Sequence, residues 1–262
     1  MRSLTMLLSN KIKFFFLYVE SSIELIPKSL INHPDVHAYA KKRRKKPFEI
    51  ILDETYHYRA LNQSNLPKKE KRGRPDILHR ALLLLQDSML NHYGVMQIFI
   101  HTINDEIIFV DPKTRIPRHY LRFIGLFEKL LTDRKIKRSR KFDRCCDNIL
   151  LAVIPTKLDR LIQAISPDIT IGFSKRGRLI RNFEEYMGVL ISNLLRKKSY
   201  IRILNIIGGF PKGYFSEEIN RLLDTVISLA ERSLSTSYVT CRLITHYENI
   251  LAYSDVSEAG KL

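Results

Sequence analysis

The 262-residue sequence has few acidic residues for its many basic ones. Its 27 aspartates and glutamates oppose 44 lysines and arginines, which leaves a net charge of +17. A chain so far from neutrality is expected to bind a polyanion, with nucleic acid favoured over an anionic membrane surface. The basic residues fall in separate clusters at 41–46, 68–74, 134–144 and 175–181. Such dispersed clusters suit a large folded RNA better than a membrane surface, which is typically bound by one basic helix.

Cysteines and long apolar runs are also scarce. Cys145, Cys146 and Cys241 have no spacing typical of a metal site, and we interpret them as free thiols in a reducing, intracellular compartment. Adjacent Cys145 and Cys146 are either core or surface thiols rather than a disulfide. The run "FFFLYV" at 14–19 is too short to span a bilayer. We therefore expect a buried strand there, and no membrane partner.

Several catalytic signatures are missing. The sequence contains no HExxH, no GxSxG and no Cys/His quartet, which removes support for a metalloprotease, a hydrolase or a zinc module. No metal is therefore expected. Hydrophobic residues make up 45% of the chain, enough for a folded domain with a real core.

Strands and helices alternate along the sequence, which predicts an α/β fold with a mostly parallel sheet. Asn104 and Asp105 separate two strands and predict a hairpin. Buried strands are predicted at 11–20, 48–53, 95–102, 106–110, 148–154, 168–174, 200–207 and 224–230. Helices are predicted after a capping box at Ser21 and Glu24, and over 54–61, 76–91, 119–131, 182–195 and 235–253.

Three arginines stand close together in "KTRIPRHYLRF". On a helix, the spacing of Arg115, Arg118 and Arg122 places all three on one face, and Pro117 suits the first turn. That face is either a solvated basic surface or a reader of phosphates.

A second arginine precedes the predicted helix at 76–91. Asp76 is two residues after Arg74, close enough to hold the guanidinium by charge-assisted hydrogen bonds, and it is also placed to cap the helix. Both roles are compatible, because a carboxylate has several acceptor sites.

A glycine-rich loop, "NIIGGFPKG" at 205–213, follows a buried strand. Ligands of open α/β sheets bind beyond the carboxyl ends of strands, where glycine lets the backbone approach them closely. The order GGxxxG matches neither a dinucleotide fingerprint nor a phosphate loop, so an ordinary turn is the alternative.

Four stretches occur in an order that resembles a known family: "GRPDILHRALLLLQDSMLNHYGVMQIFIHT", "VDPKTRIPRHYLRFIGLFEKLL", "IIGGFPKG" and "LSTSYVTCRLITHYE". The family is that of the small-subunit rRNA pseudouridine-N1 methyltransferases, the nucleolar essential protein family of the SPOUT class. The resemblance covers roughly residues 17–252.

The resemblance implies an α/β fold of the SPOUT type, with a mostly parallel sheet flanked by helices, a β-hairpin insertion and a C-terminal deep trefoil knot. It divides the chain into an N-terminal extension (1–16), one methyltransferase domain (17–252) and a tail (253–262). Within the domain it implies a basic loop at 62–75, an RNA-facing hairpin and helix at 95–132, and a knotted cofactor-binding part at 168–252.

The resemblance also assigns roles to single residues. It makes Arg74, Arg115, Arg118 and Arg122 RNA-binding, and it makes Asp76 the acid that orients Arg74, with a possible role as proton acceptor. It places S-adenosyl-L-methionine against Phe173, Gly208, Gly213, Leu229, Ala230, Glu231, Arg232, Ser233 and Leu234.

The activity so implied is transfer of a methyl group from S-adenosyl-L-methionine to N1 of a pseudouridine in small-subunit rRNA. The alternative is a non-catalytic, rRNA-binding ribosome-assembly factor of the same fold. The implied partners are small-subunit rRNA, a second copy of the chain and other ribosome-assembly proteins. The implied location is cytoplasmic in an archaeal-type cell, or nucleolar in a eukaryote.

Overall fold

The computed structural model describes residues 10–137 and 149–253. Several sequence predictions lie outside these ranges: the thiols of Cys145 and Cys146, most of the basic cluster at 134–144, the first nine residues of the N-terminal extension, and nearly all of the tail at 253–262.

The centre of the molecule is a sheet that has eight strands within the described residues. They are β1 (Ile12–Ser21), β2 (Met96–Thr102), β3 (Ile107–Val110), β4 (Lys135–Lys137), β5 (Ile149–Ile154), β6 (Ile169–Leu179), β7 (Ile201–Gly208) and β8 (Thr225–Ser228). Their order in the sheet is β4-β5-β3-β2-β1-β7-β6-β8. The strands β2, β1, β7, β6 and β8 pair in parallel, whereas β3, β5 and β4 continue the sheet in antiparallel fashion.

Helices flank this sheet, so the α/β class with a mostly parallel sheet is confirmed. They are α1 (Pro34–Arg43), α2 (Glu54–Gln63), α3 (Pro75–Asp87), α4 (Met89–His92), α5 (Tyr120–Asp133), α6 (Leu158–Ile165), α7 (Phe183–Leu195), α8 (Glu217–Asn220) and α9 (Thr236–Tyr253). No helix within the described ranges has the length and apolar character needed to cross a membrane.

The core forms around β1, where the aromatic side chains of Phe14, Phe16 and Tyr18 are fully buried. Phe14 stacks on Tyr247 of α9 with ring centroids 4.2 Å apart, and the hydroxyl of Tyr18 lies 2.9 Å from Oγ1 of Thr240. Burial of such large rings contributes on the order of 1.5–3 kcal/mol each. The central strand and the last helix are thereby fixed to one another.

The strand predicted at 11–20 is confirmed, since β1 begins at Ile12 and pairs with β7 from that residue. The division of the chain into an extension (1–16) and a domain stays a prediction. Two other predictions near the N-terminus are wrong. No helix starts at Ser21, because the segment after β1 stays extended and its acid, Glu24, is buried in an ion pair. The run at 48–53 is not a sheet strand, since its pairing is a single bridge between Leu25 and Ile51.

Further along the chain the differences are smaller. The helix predicted for 76–91 is broken at Ser88, which ends α3 and caps α4 through its hydroxyl. The hairpin around Asn104 and Asp105 is confirmed as β2 and β3. Strand β6 extends through the basic residues to Leu179 and pairs with β8 at two places. A Cβ on Gly177 would come within 2.6 Å of the Ile227 backbone, so the chain crosses itself closely here. The knot stays a prediction.

Candidate functional site

A cavity of about 370 Å³ lies where the parallel pairing of β6 with β7 ends. Its position agrees with the rule that ligands of open α/β sheets bind beyond the carboxyl ends of strands. We call it the glycine-loop cavity. It is lined by Phe173, Ser174, Lys175, Ile207, Gly208, Phe210, Pro211, Lys212, Gly213, Tyr214, Phe215, Ser233, Leu234, Thr236 and Val239.

The structure brings together five of the residues predicted to bind the cofactor: Phe173, Gly208, Gly213, Ser233 and Leu234. Four others of the predicted turn are not among the lining residues, namely Leu229, Ala230, Glu231 and Arg232. Two of these four have backbone carbonyls that serve the turn itself: Leu229 accepts from Arg242 at 2.8 Å, and Ala230 accepts from Ser228 at 2.6 Å.

Backbone conformation shapes the loop that closes the cavity. Gly213 has φ +98°, a value that side-chain-bearing residues rarely adopt. A Cβ on Gly208 would meet the Phe210 ring at 2.9 Å. The hydroxyl of Thr236, at the start of α9, donates to the Gly208 carbonyl at 2.7 Å and ties the last helix to the loop.

Sequence reasoning missed the cations of this cavity. Lys175 and Lys212 line it, and the guanidinium of the neighbouring Arg176 lies 3.4 Å from the centre of the Tyr214 ring. The available signal for Lys175 was the basic cluster at 175–181, and Lys212 directly precedes Gly213 in the glycine-rich loop. The cavity wall can therefore attract an anionic substrate.

The pair predicted at Arg74 and Asp76 is present. Nε and Nη2 of Arg74 donate to the two carboxylate oxygens of Asp76 at 2.7 and 3.0 Å, and Arg80 donates to the same carboxylate at 2.5 Å. Burial acts to raise the pKa of Asp76, but the hydrogen bond from Arg74 and the positive charges of Arg74 and Arg80 together outweigh it and hold that pKa below its usual value. Asp76 does not cap the helix, because it lies in the first turn of α3 after Pro75.

The predicted helical arginine face is wrong in part. Helix α5 begins at Tyr120, so Arg122 is helical while Arg115 and Arg118 lie in the preceding loop. The backbone of that loop is bonded to side chains of α3: Ile116 donates to Gln86, and the Pro117 carbonyl lies 2.8 Å from Nε2 of His79. These bonds compete with a helical turn, which explains why the helix starts late.

Helix α3 nevertheless has one of the predicted RNA-binding arginines at each end. Arg74 immediately precedes α3, while Asp87 at the other end of that helix accepts from Arg118 at 3.0 Å. Arg115, Arg118 and Arg122 are all exposed. We call Arg74, Arg115, Arg118 and Arg122 the arginine surface.

A polar cluster of Asp53, His57 and Tyr120 joins the first turn of α2 to the first turn of α5. The hydroxyl of Tyr120 donates to Asp53 at 2.5 Å, and Nδ1 of His57 accepts from the Asp53 amide at 3.1 Å. Nε2 of His57 has no hydrogen-bond partner among the described residues. Burial lowers the pKa of His57 to about 4, so this side chain is neutral near pH 7.

No group of three metal-ligating side chains occurs within residues 10–137 and 149–253. The fold and the cavity instead define an α/β protein with a candidate ligand site at the carboxyl ends of β6 and β7 and with exposed arginines around α5.

Comparison with known proteins gives the family. The model of the EMG1/NEP1 methyltransferase family matches residues 16–248. The chain is 38% identical to the ribosomal RNA small subunit methyltransferase Nep1 of Pyrococcus furiosus, over 91% of this chain and 97% of that protein. It is 39% identical to Nep1 of Saccharolobus solfataricus, over 90% of this chain and 96% of that one. The chain belongs to the EMG1/NEP1 methyltransferase family.

A solved structure agrees with this assignment. The crystal structure of Archaeoglobus fulgidus Nep1 bound to S-adenosylhomocysteine matches with a TM-score of 0.76 and 35% identity, and the match covers 92% of this chain and 99% of that one. The fold is therefore shared over nearly the whole length of both chains.

Proposed function

We propose that this protein transfers a methyl group from S-adenosyl-L-methionine to N1 of a pseudouridine in small-subunit rRNA. The observation that carries the proposal is the glycine-loop cavity in a chain whose fold matches a Nep1 structure bound to S-adenosylhomocysteine. The relatives named as small-subunit rRNA methyltransferases support the substrate class, and the net charge of +17 supports a polyanionic partner.

The residues of the cavity fit S-adenosyl-L-methionine. A volume of about 370 Å³ is within the range of small-molecule sites, and the lining combines apolar side chains with exposed loop backbone. Ile207, Leu234 and Val239 offer apolar contacts, while Gly208 and Gly213 let the backbone lie against a ligand. When bound, S-adenosyl-L-methionine supplies an electrophilic methyl group.

The arginine surface binds the RNA in this proposal. Phosphates are contacted over a continuous basic surface, and such contacts set the position of the nucleic acid relative to the protein. Lys175 and Lys212 extend the positive charge to the cavity itself, which favours RNA that enters from the arginine side.

We assign to Asp76 the positioning of Arg74 rather than removal of a proton. Its carboxylate accepts hydrogen bonds from Arg74 and Arg80, and its pKa is held below the usual value, so it is a weak base. The same bonds keep the Arg74 guanidinium in one orientation.

We also propose that two copies pair and that the dimer contacts other ribosome-assembly proteins. The many apolar residues of α9 do not by themselves favour a dimer, because Leu243, Tyr247 and Leu251 are buried within their own chain. A groove between α3 and α9, bordered by exposed Met89 and Cys241, is the better support. Light scattering at micromolar concentration should give a molecular mass of twice 30.7 kDa, and a mass of 30.7 kDa would contradict the dimer.

The activity is tested by methyl transfer to two hairpin RNAs that differ in one loop base, pseudouridine or uridine. We expect methylation of the first and none of the second, measured by mass spectrometry of the digested RNA. If both ligands bind and neither RNA is methylated, the protein acts as a non-catalytic assembly factor. Equal methylation of both RNAs would contradict the pseudouridine specificity.

A further inference from the structure

The last two residues of the central strand β1 and the three residues after them lie between the two parts of the site. We call residues 20–24 the central segment. Its first residue, Glu20, has φ +49° and a side chain that is almost fully buried, at 1% exposure. A non-glycine residue with this φ and a buried charge are each unfavourable, so the surrounding bonds must hold both in place.

On one side, the central segment is bonded to the basic loop that leads to the arginine surface. Glu20 pairs with Lys71 at 2.5 Å and with Lys68 at 3.2 Å. The Arg74 amide donates to the hydroxyl of Ser22 at 2.6 Å. The central segment therefore fixes the backbone position of Arg74, the first residue of the arginine surface.

On the other side, the central segment is bonded to the glycine-rich loop. The Ser22 amide donates to the Gly209 carbonyl at 2.8 Å, and the Ser216 amide donates to Glu20 at 3.3 Å. A Cβ on Gly209 would come within 2.2 Å of the Ser21 hydroxyl oxygen, so the two segments are in direct backbone contact.

Lys71 is the side chain that joins all three segments. Besides its ion pair with Glu20, its ammonium donates to the Tyr214 carbonyl at 2.6 Å and lies 4.4 Å from the centre of the Phe210 ring. Phe210 and Tyr214 both line the glycine-loop cavity. Lys71 itself is 5% exposed and lies three residues before Arg74.

A buried ion pair of this kind resists partial opening, since loss of one partner leaves the other charge buried and unpaired. Displacement of the basic loop would withdraw the ammonium from Glu20, from the Tyr214 carbonyl and from the Phe210 ring together. A ligand that orders one loop therefore lowers the cost of ordering the other.

We propose that Lys71 is a positioning residue that couples RNA binding at the arginine surface to cofactor binding in the glycine-loop cavity. The inference rests on the proposed function, because it requires that both ligands bind this chain. Coupling between two sites is reciprocal, so each ligand must raise the affinity for the other by the same factor.

The test measures this factor with S-adenosylhomocysteine and a hairpin RNA that carries one pseudouridine in its loop. In the unmodified protein, saturating S-adenosylhomocysteine should tighten RNA binding about fivefold or more. In Lys71→Met, which keeps the side-chain length and loses the charge, the factor should fall below about twofold.

Lys69→Met is the matched control. Lys69 lies two residues away in the same turn and donates only within its own loop, to the carbonyls of Asn62 and Ser64 among the bonds described. It loses the same charge from the same loop, so its RNA affinity can fall, but its coupling factor should stay that of the unmodified protein. An unchanged factor in Lys71→Met would overturn the proposal.

Hydrogen exchange on the unmodified protein tests the same idea without a variant that can fail to fold. RNA alone should slow exchange of the amides at 209–216, and S-adenosylhomocysteine alone should slow those at 68–74. If both ligands bind but neither cross-effect appears, the coupling is refuted while the proposed function stands. If either ligand fails to bind, both proposals fall.

Discussion

The glycine-loop cavity and the arginine surface are built by different means. The cavity is shaped mainly by backbone: a glycine at φ +98°, a close contact at Gly208 and a hydroxyl of α9 on a loop carbonyl. The arginine surface is held by side chains, through the carboxylates of Asp76 and Asp87 and the bonds from α3 to the loop before α5.

This difference has consequences for how each region responds to change. A backbone-defined cavity should be sensitive to added side-chain volume and insensitive to salt. A surface held by exposed ion pairs should depend on charge and ionic strength, because such pairs are screened by salt. Four changes, with effects that range from about 3 kcal/mol to about 1 kcal/mol, separate the two regions.

Acid should first destabilise the polar cluster of Asp53, His57 and Tyr120, through protonation of His57. The pKa of buried His57 is about 4 when folded and 6.5 in its ordinary state, so the unfolded chain binds the proton first as the pH falls. The stabilisation is complete above pH 6.5 and is lost towards pH 4, by about 3 kcal/mol of unfolding free energy. Urea unfolding at pH 7, 5.5 and 4 measures it.

His57→Gln should remove that component of the pH dependence. The exposed His37→Gln variant, on α1, is the control and should keep the pH dependence of the unmodified protein. Equal slopes for all three proteins would show that His57 is not the titrating group.

Gly213→Val should weaken binding of S-adenosylhomocysteine by about tenfold to a hundredfold. A β-branched residue at φ +98° is strained by about 1–3 kcal/mol, and its methyl groups add volume at the cavity lining. Affinity for RNA, measured without cofactor, should stay within about twofold. Calorimetry and filter binding give the two values.

Gly94→Val controls for the strain itself, since Gly94 also has a positive φ, +70°, and open space around its Cβ position. This variant should lose stability but bind S-adenosylhomocysteine normally once folded. If both variants lose the same affinity for S-adenosylhomocysteine, the effect is not specific to the position of Gly213 at the cavity.

Arg118→Glu should weaken RNA binding by about tenfold, within the 1–3 kcal/mol expected for loss of an arginine contact. The new carboxylate would also face Asp87, the present partner of Arg118. Arg221→Glu is a matched control, because Arg221 forms a similarly exposed pair with Glu217 outside the arginine surface. Equal RNA affinities of the two variants would contradict the assignment of Arg118.

Tyr120→Phe should have the smallest effect. It removes the hydroxyl that donates to Asp53 and should lower the unfolding free energy by about 1 kcal/mol, while cofactor affinity is unchanged. Exposed Tyr58→Phe is the control for loss of a tyrosine hydroxyl. If Tyr120→Phe is as stable as the control, the hydrogen bond from Tyr120 to Asp53 does not contribute to stability.

The parts of the fold that the sequence predicts well are those with local causes. The apolar run of β1 and the Asn104–Asp105 turn of the hairpin specify their structures through burial and turn chemistry. The run at 48–53 has the same apolar character, but it packs in a small cluster with Ile26 and Leu30 and does not join the sheet. Apolar composition alone does not distinguish these outcomes.

The site shows the same limit. Arg115 and Arg118 have helical spacing, yet side chains of α3 bind the backbone between them, and no local pattern encodes those contacts. Glu20 and Lys71 are 51 positions apart, so only the folded chain reveals their pairing. Gly213 was predictable, because a glycine after a buried strand has a local reason to be there.

The central claim is that the arginine surface binds RNA and the glycine-loop cavity binds the cofactor, and one set of kinetic measurements tests it most directly. The initial rate of methyl transfer is measured over a matrix of RNA and S-adenosyl-L-methionine concentrations for the unmodified protein, Arg118→Glu and Gly213→Val. We predict that excess RNA restores the full rate of Arg118→Glu, and that full restoration of Gly213→Val requires excess S-adenosyl-L-methionine. Rescue in the opposite sense, with RNA restoring Gly213→Val and cofactor restoring Arg118→Glu, would contradict the account.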